Sequence, residues 1–261
     1  MSFFTQVKES VIDFKFFLRI KDNRFGKTFT YLLLLFLIFY SMTSIKWYND
    51  FLIITNKTIG FTEKMPDFRL EKGEFSFDGP MPYEIVSMDQ GKFIIDTTGQ
   101  TTIDDYKDTY DGLLITKDFM IAKSNVQERK IYFKDISKLE FYKKDIVNFL
   151  PSLPGILAVL LVFGFLFALI GKLLNVLILA AIGILLCKIQ KTSIHFSYLS
   201  NLATYSLTLP ILLQLALSLS GMAIPYFSLL YWFVSIVYLF YAIKYVKDDL
   251  KNDEEKGAVL Q

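Results

Sequence analysis

The sequence predicts an α-helical integral membrane bundle of about five spans, carrying a small inserted α+β extracytoplasmic domain. Three observations predict it. Residues Thr192 to Ile243 contain no Asp, Glu, Lys or Arg; as one helix they would extend about 78 Å, more than twice a hydrocarbon core of about 30 Å, so they cross twice. Ile146 to Cys187 carries only Lys172 as a charge, and its helical length of about 63 Å also fits two crossings. Between these blocks and an earlier apolar run lies a polar stretch of short alternating segments and turns, which suits a water-soluble domain.

Residues 1–27 form an arm. Phe4, Val7, Val11, Phe14 and Leu18 recur at spacings of three and four, with Glu9, Asp13 and Arg19 turned elsewhere, which predicts an amphipathic helix over residues 2–20. Two destinations are open to it: the cytoplasmic headgroup region, with its lysines near anionic lipid, or its own bundle or a partner. Residues 28–46 hold the first span, Phe29 to Ile45, flanked by Lys27 and Lys46, whose long side chains can snorkel. Tyr40-Ser41-Met42 is not a small-residue cleavage site, so the span does not read as a removable signal. Lys8, Lys15, Arg19, Lys21, Arg24 and Lys27 precede it against three acids, which predicts a cytoplasmic N-terminus and places residues 47–148 outside.

From Lys46 to Asn148 there are 15 basic and 18 acidic residues, and within residues 47–148 strands are expected at 68–70, 74–77, 83–88, 93–96, 113–116, 119–123 and 130–133. Gly-, Pro- and Asp-containing turns separate most of them, which predicts an antiparallel sheet. Asp135 is placed to cap a helix over residues 136–149.

Residues 149–246 are read as four spans, with a polar tail at 247–261. Span two runs to about Ile170 and span three from Leu173 to Ile189, parting at Gly171-Lys172; Gly164, Ala168 and Gly171 allow another backbone to approach. Ser220 to Pro225 breaks the second block. On span four, Phe196 to Leu219, residues Ser197, Asn201, Thr204, Tyr205 and Thr208 share an arc of roughly 100°, just before a kink expected at Pro210. Such a polar face reads either as interhelical hydrogen bonding or as a wet path for a ligand. Tyr231, Tyr238, Tyr241 and Tyr245 on span five supply hydroxyls that need partners, so the two stripes are expected to face each other. With five spans the short inner segments hold seven basic residues and the outer ones six, and the orientation rests on the first helix. A re-entrant segment within residues 150–187 would instead give an even number of crossings and an inside C-terminus.

Recognisable chemistry is sparse. One histidine, His195, and one cysteine, Cys187, leave no multi-histidine metal site, no HExxH helix and no internal disulfide, and His195 has no acid beside it for a catalytic triad. The glycines are dispersed, with no phosphate-cradling loop. No basic face is concentrated enough for nucleic acid. Neither a cofactor nor a metal is expected. Ile94 to Gly99 has the Asp-Thr-Gly look of an aspartic protease but lacks the second carboxylate and lobe; Asp96 and Thr97 are better suited to a turn closed by Gly99. The candidate binding loop is Asp96, Asp104, Asp105, Tyr106, Asp108, Tyr110 and Asp111, where acids and aromatics between two expected strands can engage sugar hydroxyls, a cation or a basic partner face. A merely solvated linker is the other reading.

Residues 66–74 (PDFRLEKGE), 95–99 (IDTTG), 114–118 (LITKD) and 202–210 (LATYSLTLP) follow one another in an order that resembles a membrane family of low-GC Gram-positive bacteria with no assigned function, some of whose members carry the description maltodextrose utilization protein. Its membrane part is similar to that of the five-span Yip-type proteins, with the extracytoplasmic domain inserted after the first span. The resemblance implies an accessory role near a maltodextrin ABC importer, and it supplies no catalytic residues. Together these readings predict a non-enzymatic accessory, sensor or regulator in the bacterial cell membrane, surrounded by lipid and bound to a membrane-protein partner. The rivals are a membrane enzyme acting on lipid or cell-wall precursor, and a small-molecule transporter or channel using the polar face of span four.

Overall fold

The structure is a computed structural model that describes residues 1–21, 23–86, 92–101, 112–124, 127–222 and 224–259. It divides into two compact units, residues 1–50 with 157–261, and residues 51–156. Four helical stretches among the described residues are long and apolar enough to cross a membrane: Gly26–Lys64, Lys143–Ile189, Phe196–Ser220 and Phe227–Asn252. These mark the chain as a membrane protein by length and composition.

The expected amphipathic helix is two helices, α1 (Phe3–Ile12) and α2 (Phe16–Arg19). Asp13 makes the break, its carboxylate accepting the Lys15 amide at 2.9 Å, the local competition by which Asp interrupts a helix. Most of its apolar face packs on the bundle: Val7, Phe14 and Leu18 lie against a core that buries Phe16, Phe17 and Ile20 with Leu32, Leu35 and Phe36 of α3 (Phe25–Lys64), whereas Phe4 of the expected face is exposed. Of the two destinations open to the arm, the structure takes packing on its own chain.

Spans two and three, expected as separate crossings, form one helix, α5 (Leu153–Ile189), about 55 Å long at the usual rise. The expected parting at Gly171-Lys172 does not occur. An interior Gly costs a helix only about 1 kcal/mol, with no Pro to remove a hydrogen bond, and Lys172 finds partners inside the bundle. Gly164 serves as anticipated, since a Cβ there would lie 2.8 Å from the Tyr40 hydroxyl, which donates to the Leu161 carbonyl at 2.8 Å.

The expected kink is present. Helix α6 (Phe196–Ser206) ends at Leu207, and α7 (Thr208–Ser220) begins directly after it; Pro210 lacks an amide, and its ring meets the Ser206 carbonyl four residues back. Gly221, at φ +74°, terminates α7 in the left-handed conformation that suits glycine. The last helix is α8 (Phe227–Val259). Leu199, Leu202 and Ala203 of α6 pack with Leu239, Ala242 and Ile243 of α8 and with Val176, Leu179 and Ala180 of α5.

In the second unit seven strands fall close to their expected positions, β1 (Phe68–Glu71), β2 (Glu74–Phe77), β3 (Tyr83–Val86), β4 (Lys92–Ile95), β5 (Gly112–Ile115), β6 (Phe119–Lys123) and β7 (Glu128–Tyr132), and an unforeseen β8 (Phe141–Tyr142) lies where a helix was expected. Their assembly differs from the single antiparallel sheet predicted. One sheet has the order β2-β1-β8, and the other β3-β4-β5-β6-β7 with β4 and β5 parallel. Residues 96–111 are long enough for the crossover a parallel pair requires. Lys72 and Gly73, at φ 53° and 81°, give the β1–β2 hairpin the paired left-handed residues of a tight primed turn. Ile94 and Ile95 point to opposite faces of β4: Ile94 packs with Leu114 and Ile121, and Ile95 with Leu70, Phe75, Phe77 and Phe133. Edge strand β7 is exposed along its length and carries Glu128, Arg129 and Lys130, charges that discourage pairing with another chain.

Asp135 does not cap the helix foreseen over 136–149. It lies in a 3-10 turn, Phe133–Ile136, and the helix α4 (Lys143–Phe149) starts later, where Asp145 accepts the Tyr142 amide at 2.9 Å. Lys143 then donates to the carbonyls of Met65 at 2.6 Å and Glu63 at 3.0 Å, a cation at the carbonyl-bearing end of α3.

Candidate functional site: a polar seam in the helical unit

The polar face foreseen on span four lies on α6 and the start of α7, and four of its five residues are buried or nearly so: Asn201 3% exposed, Thr204 3%, Tyr205 0% and Thr208 0%. In a low-dielectric interior an unpaired amide or hydroxyl costs several kcal/mol, so each must find a partner. Asn201 accepts from the Thr28 hydroxyl at 2.8 Å and donates to the carbonyls of Asn23 at 3.0 Å and Ile20 at 3.3 Å. Tyr205 donates to the Gln6 side-chain oxygen at 2.7 Å. Thr208 pairs with the Tyr31 hydroxyl at 2.7 Å, and Tyr31 reaches Ser10 at 3.4 Å. Thr204 donates to the Ser200 carbonyl of its own helix at 2.8 Å.

The partners correct one expectation. The stripe does not face the tyrosines of span five; it faces the N-terminal arm and the start of α3. Two tyrosines outside the stripe turn the same way: Tyr198 donates to the Phe17 carbonyl at 2.7 Å and Tyr238 to that of Val11. Aromatic packing reinforces the seam, with Tyr205 against Tyr31 at 4.3 Å between ring centres and edge-on to Phe16 at 4.9 Å. Ser206 is the one buried side-chain oxygen among the described residues without a partner.

A second polar cluster escaped the sequence reading. Lys172, taken there for a loop residue, sits midway along α5 with its ammonium 3.4 Å from Gln214 Oε1 and 3.3 Å from the Tyr231 hydroxyl. It also lies 4.6 Å from the Tyr231 ring centre, and among the described residues no carboxylate pairs with it. Neutral acceptors and an aromatic face can hold an ammonium in place of an anion. The signal that could have found this site was Gln214, a long amide in an otherwise apolar helix.

Asn201 and Thr204 border one cavity, and Ser197, the one exposed member of the five, borders that cavity and another, each of about 440 Å³. That other cavity contains Lys21 of the arm, Ser193 and His195 of the α5–α6 connection, and Asp249 of α8, so those three parts of the chain meet at one end of the helical unit.

Of the candidate binding loop, Asp104, Asp105, Tyr106, Asp108, Tyr110 and Asp111 lie outside the described residues. Asp96 lies within them, fully buried at the end of β4. Its Oδ1 accepts the Thr98 amide at 2.8 Å and the Thr98 hydroxyl at 2.5 Å, and Oδ2 accepts the Thr101 amide at 2.5 Å. The turn anticipated here is formed through Thr98, with Gly99 at φ +79°. Among the described residues no cluster of His, Cys, Asp and Glu is arranged to hold a metal.

Four helices long and apolar enough to cross a membrane, with a two-sheet unit between the first and second, give the composition of a membrane protein. The model of the family "Protein of unknown function (DUF1189)" matches residues 4–243, nearly the whole chain, and the chain belongs to that family. No curated protein and no solved structure matches it.

Burial acts to raise the Asp96 carboxyl's pKa, but the hydrogen bonds from Thr98 and Thr101 together outweigh it and hold the value down to about 2. A lowered folded-state pKa contributes stability that is complete above the unfolded value near 3.9 and disappears as pH falls through about 2. Asp96→Asn is therefore expected to cost roughly 2–3 kcal/mol at neutral pH and little near pH 2. Thermal unfolding of variant and parent across that range measures it, and a pH-independent difference contradicts the assignment.

Proposed function

We propose that this chain is a non-enzymatic integral membrane protein that serves as an accessory, sensor or regulator of another membrane complex. One observation carries this reading: Asn201, Tyr205 and Thr208, which could have served a solute path or an active site, spend their hydrogen bonds on the chain's own N-terminal arm and the start of α3. The resemblance noted above makes a maltodextrin ABC importer the specific partner, and the unit of residues 51–156 is the part that meets the extracytoplasmic side. A second reading, an anion or solute carrier, is favoured by Lys172, because an intramembrane cation without a carboxylate is a common mark of a substrate path.

The four membrane-length helices also bear on topology. With the N-terminus inside and four crossings, the arm, the α5–α6 connection and the end of α8 share the cytoplasmic side. The short inner segments then hold the arm's six cations with Lys188, Lys191, Lys244, Lys247, Lys251 and Lys256, while residues 221–226 outside hold none. That asymmetry is far stronger than the near-even division five spans would give, and it follows the positive-inside rule. In intact cells, cysteines introduced as Gln100→Cys and Met222→Cys are expected to react with an impermeant reagent, and Thr5→Cys and Asn252→Cys to be protected. Five crossings would reverse the results at 222 and 252.

Function is tested with Asn201→Ala, which strands the Thr28 hydroxyl and two arm carbonyls. Its expected cost is roughly 1–3 kcal/mol, seen as a lower melting temperature in detergent together with reduced capture of membrane partners in mild-detergent purification. An Asn201→Ala chain that melts and captures like the parent yet loses uptake of a solute would support the carrier reading instead.

A further inference from the structure

We propose that the helical unit holds one phospholipid with a zwitterionic, amine-bearing headgroup of the phosphatidylethanolamine type, across the two cavities that meet at Ser197. The cavities differ in chemistry. The first sets the polar groups of Lys21, Ser193, His195 and Asp249 beside the apolar Leu18 and Leu250. The second is a groove walled by Phe29, Leu32, Leu173, Leu177 and Phe196 from α3, α5 and α6. Ser197 borders both, so a polar chamber opens beside an apolar slot, the arrangement an amphiphile fits.

The position selects lipid over a soluble ligand. The polar chamber lies where the arm, the α5–α6 connection and the charged end of α8 converge, which is headgroup depth for a bundle lying in a bilayer, and the groove extends from it along helices that would stand among acyl chains. The proposal rests on that placement, which cysteine labelling checks separately.

Charge selects the headgroup. Lys21 and Asp249 line the same chamber but form no ion pair with each other, nor with any other described residue. One free cation and one free anion complement a phosphate and an ammonium in a single headgroup, with the Ser193 and Ser197 hydroxyls available to phosphate or ester oxygens. A purely anionic headgroup would satisfy Lys21 and leave Asp249 opposed to like charge.

The test uses the full-length chain in detergent, with thermal shift as the readout on adding four probes separately: phosphatidylethanolamine, phosphatidylglycerol, diacylglycerol and water-soluble phosphoethanolamine. Phosphatidylethanolamine is expected to raise the melting temperature most, phosphatidylglycerol less, and the other two hardly at all. Lys21→Ala should abolish the response to both phospholipids, Asp249→Asn should remove the preference between them, and Leu177→Trp should block the groove and weaken both. Lys21 and Leu177 are exposed, so their variants should melt like the parent without lipid. Equal responses to all three lipids, or variants that respond as the parent does, overturn the proposal; a response to phosphoethanolamine equal to that of the lipid would show a phosphate site without a lipid.

Discussion

The helical unit depends on a single demand: the Asn201 amide, buried among apolar helices, has to be satisfied within the chain. In a low-dielectric interior a stranded amide would cost more than most packing contacts return. The demand is met by Thr28 at the start of α3 and by two carbonyls just before it. Once these are fixed, the arm cannot wander. Its α2 helix is drawn beneath α6, burying Phe16 and Phe17, while Gln6 and Ser10 of α1 come within reach of Tyr205 and Tyr31. A segment whose composition suits the membrane surface is thereby made part of the core.

The second unit is held together differently. Its two clusters are small, and its stability draws on devices suited to water: a primed hairpin turn at Lys72-Gly73, a charged edge on β7, and a carboxylate, Asp96, spent on closing its own loop. Lys130 lies 3.9 Å from the Phe119 ring centre and 4.8 Å from that of Tyr132, covering the aromatic edge of β6 and β7. Lys143 secures the end of α3 by bonding its last carbonyls.

What the sequence revealed divides along physical lines. Strands in the second unit were legible because alternation and turn residues are local signals, and so were the kink before Pro210 and the stop at Gly221, where one residue's geometry decides the outcome. Strand order was not legible, since nothing local in β4 and β5 says they run parallel. The continuity of α5 past Lys172 was hidden for a similar reason: the charge looked like a boundary until Gln214 and Tyr231 supplied its contacts from distant helices. Likewise an amphipathic arm shows the same periodicity whether its apolar face meets lipid or protein. The stripe on α6 was found by counting, but its partners were not.

The docking of the arm on its own bundle is the central claim, and proximity labelling tests it most directly. Phe14 lies with its ring centre 5.3 Å from that of Tyr238 and 6.3 Å from that of Tyr241. With p-benzoylphenylalanine in place of Phe14 and irradiation in native membranes, the account predicts an adduct on the stretch of α8 containing Tyr238 and Tyr241 within the same chain. Adducts formed only with lipid, with α8 unmodified, would contradict it and return the arm to the membrane surface.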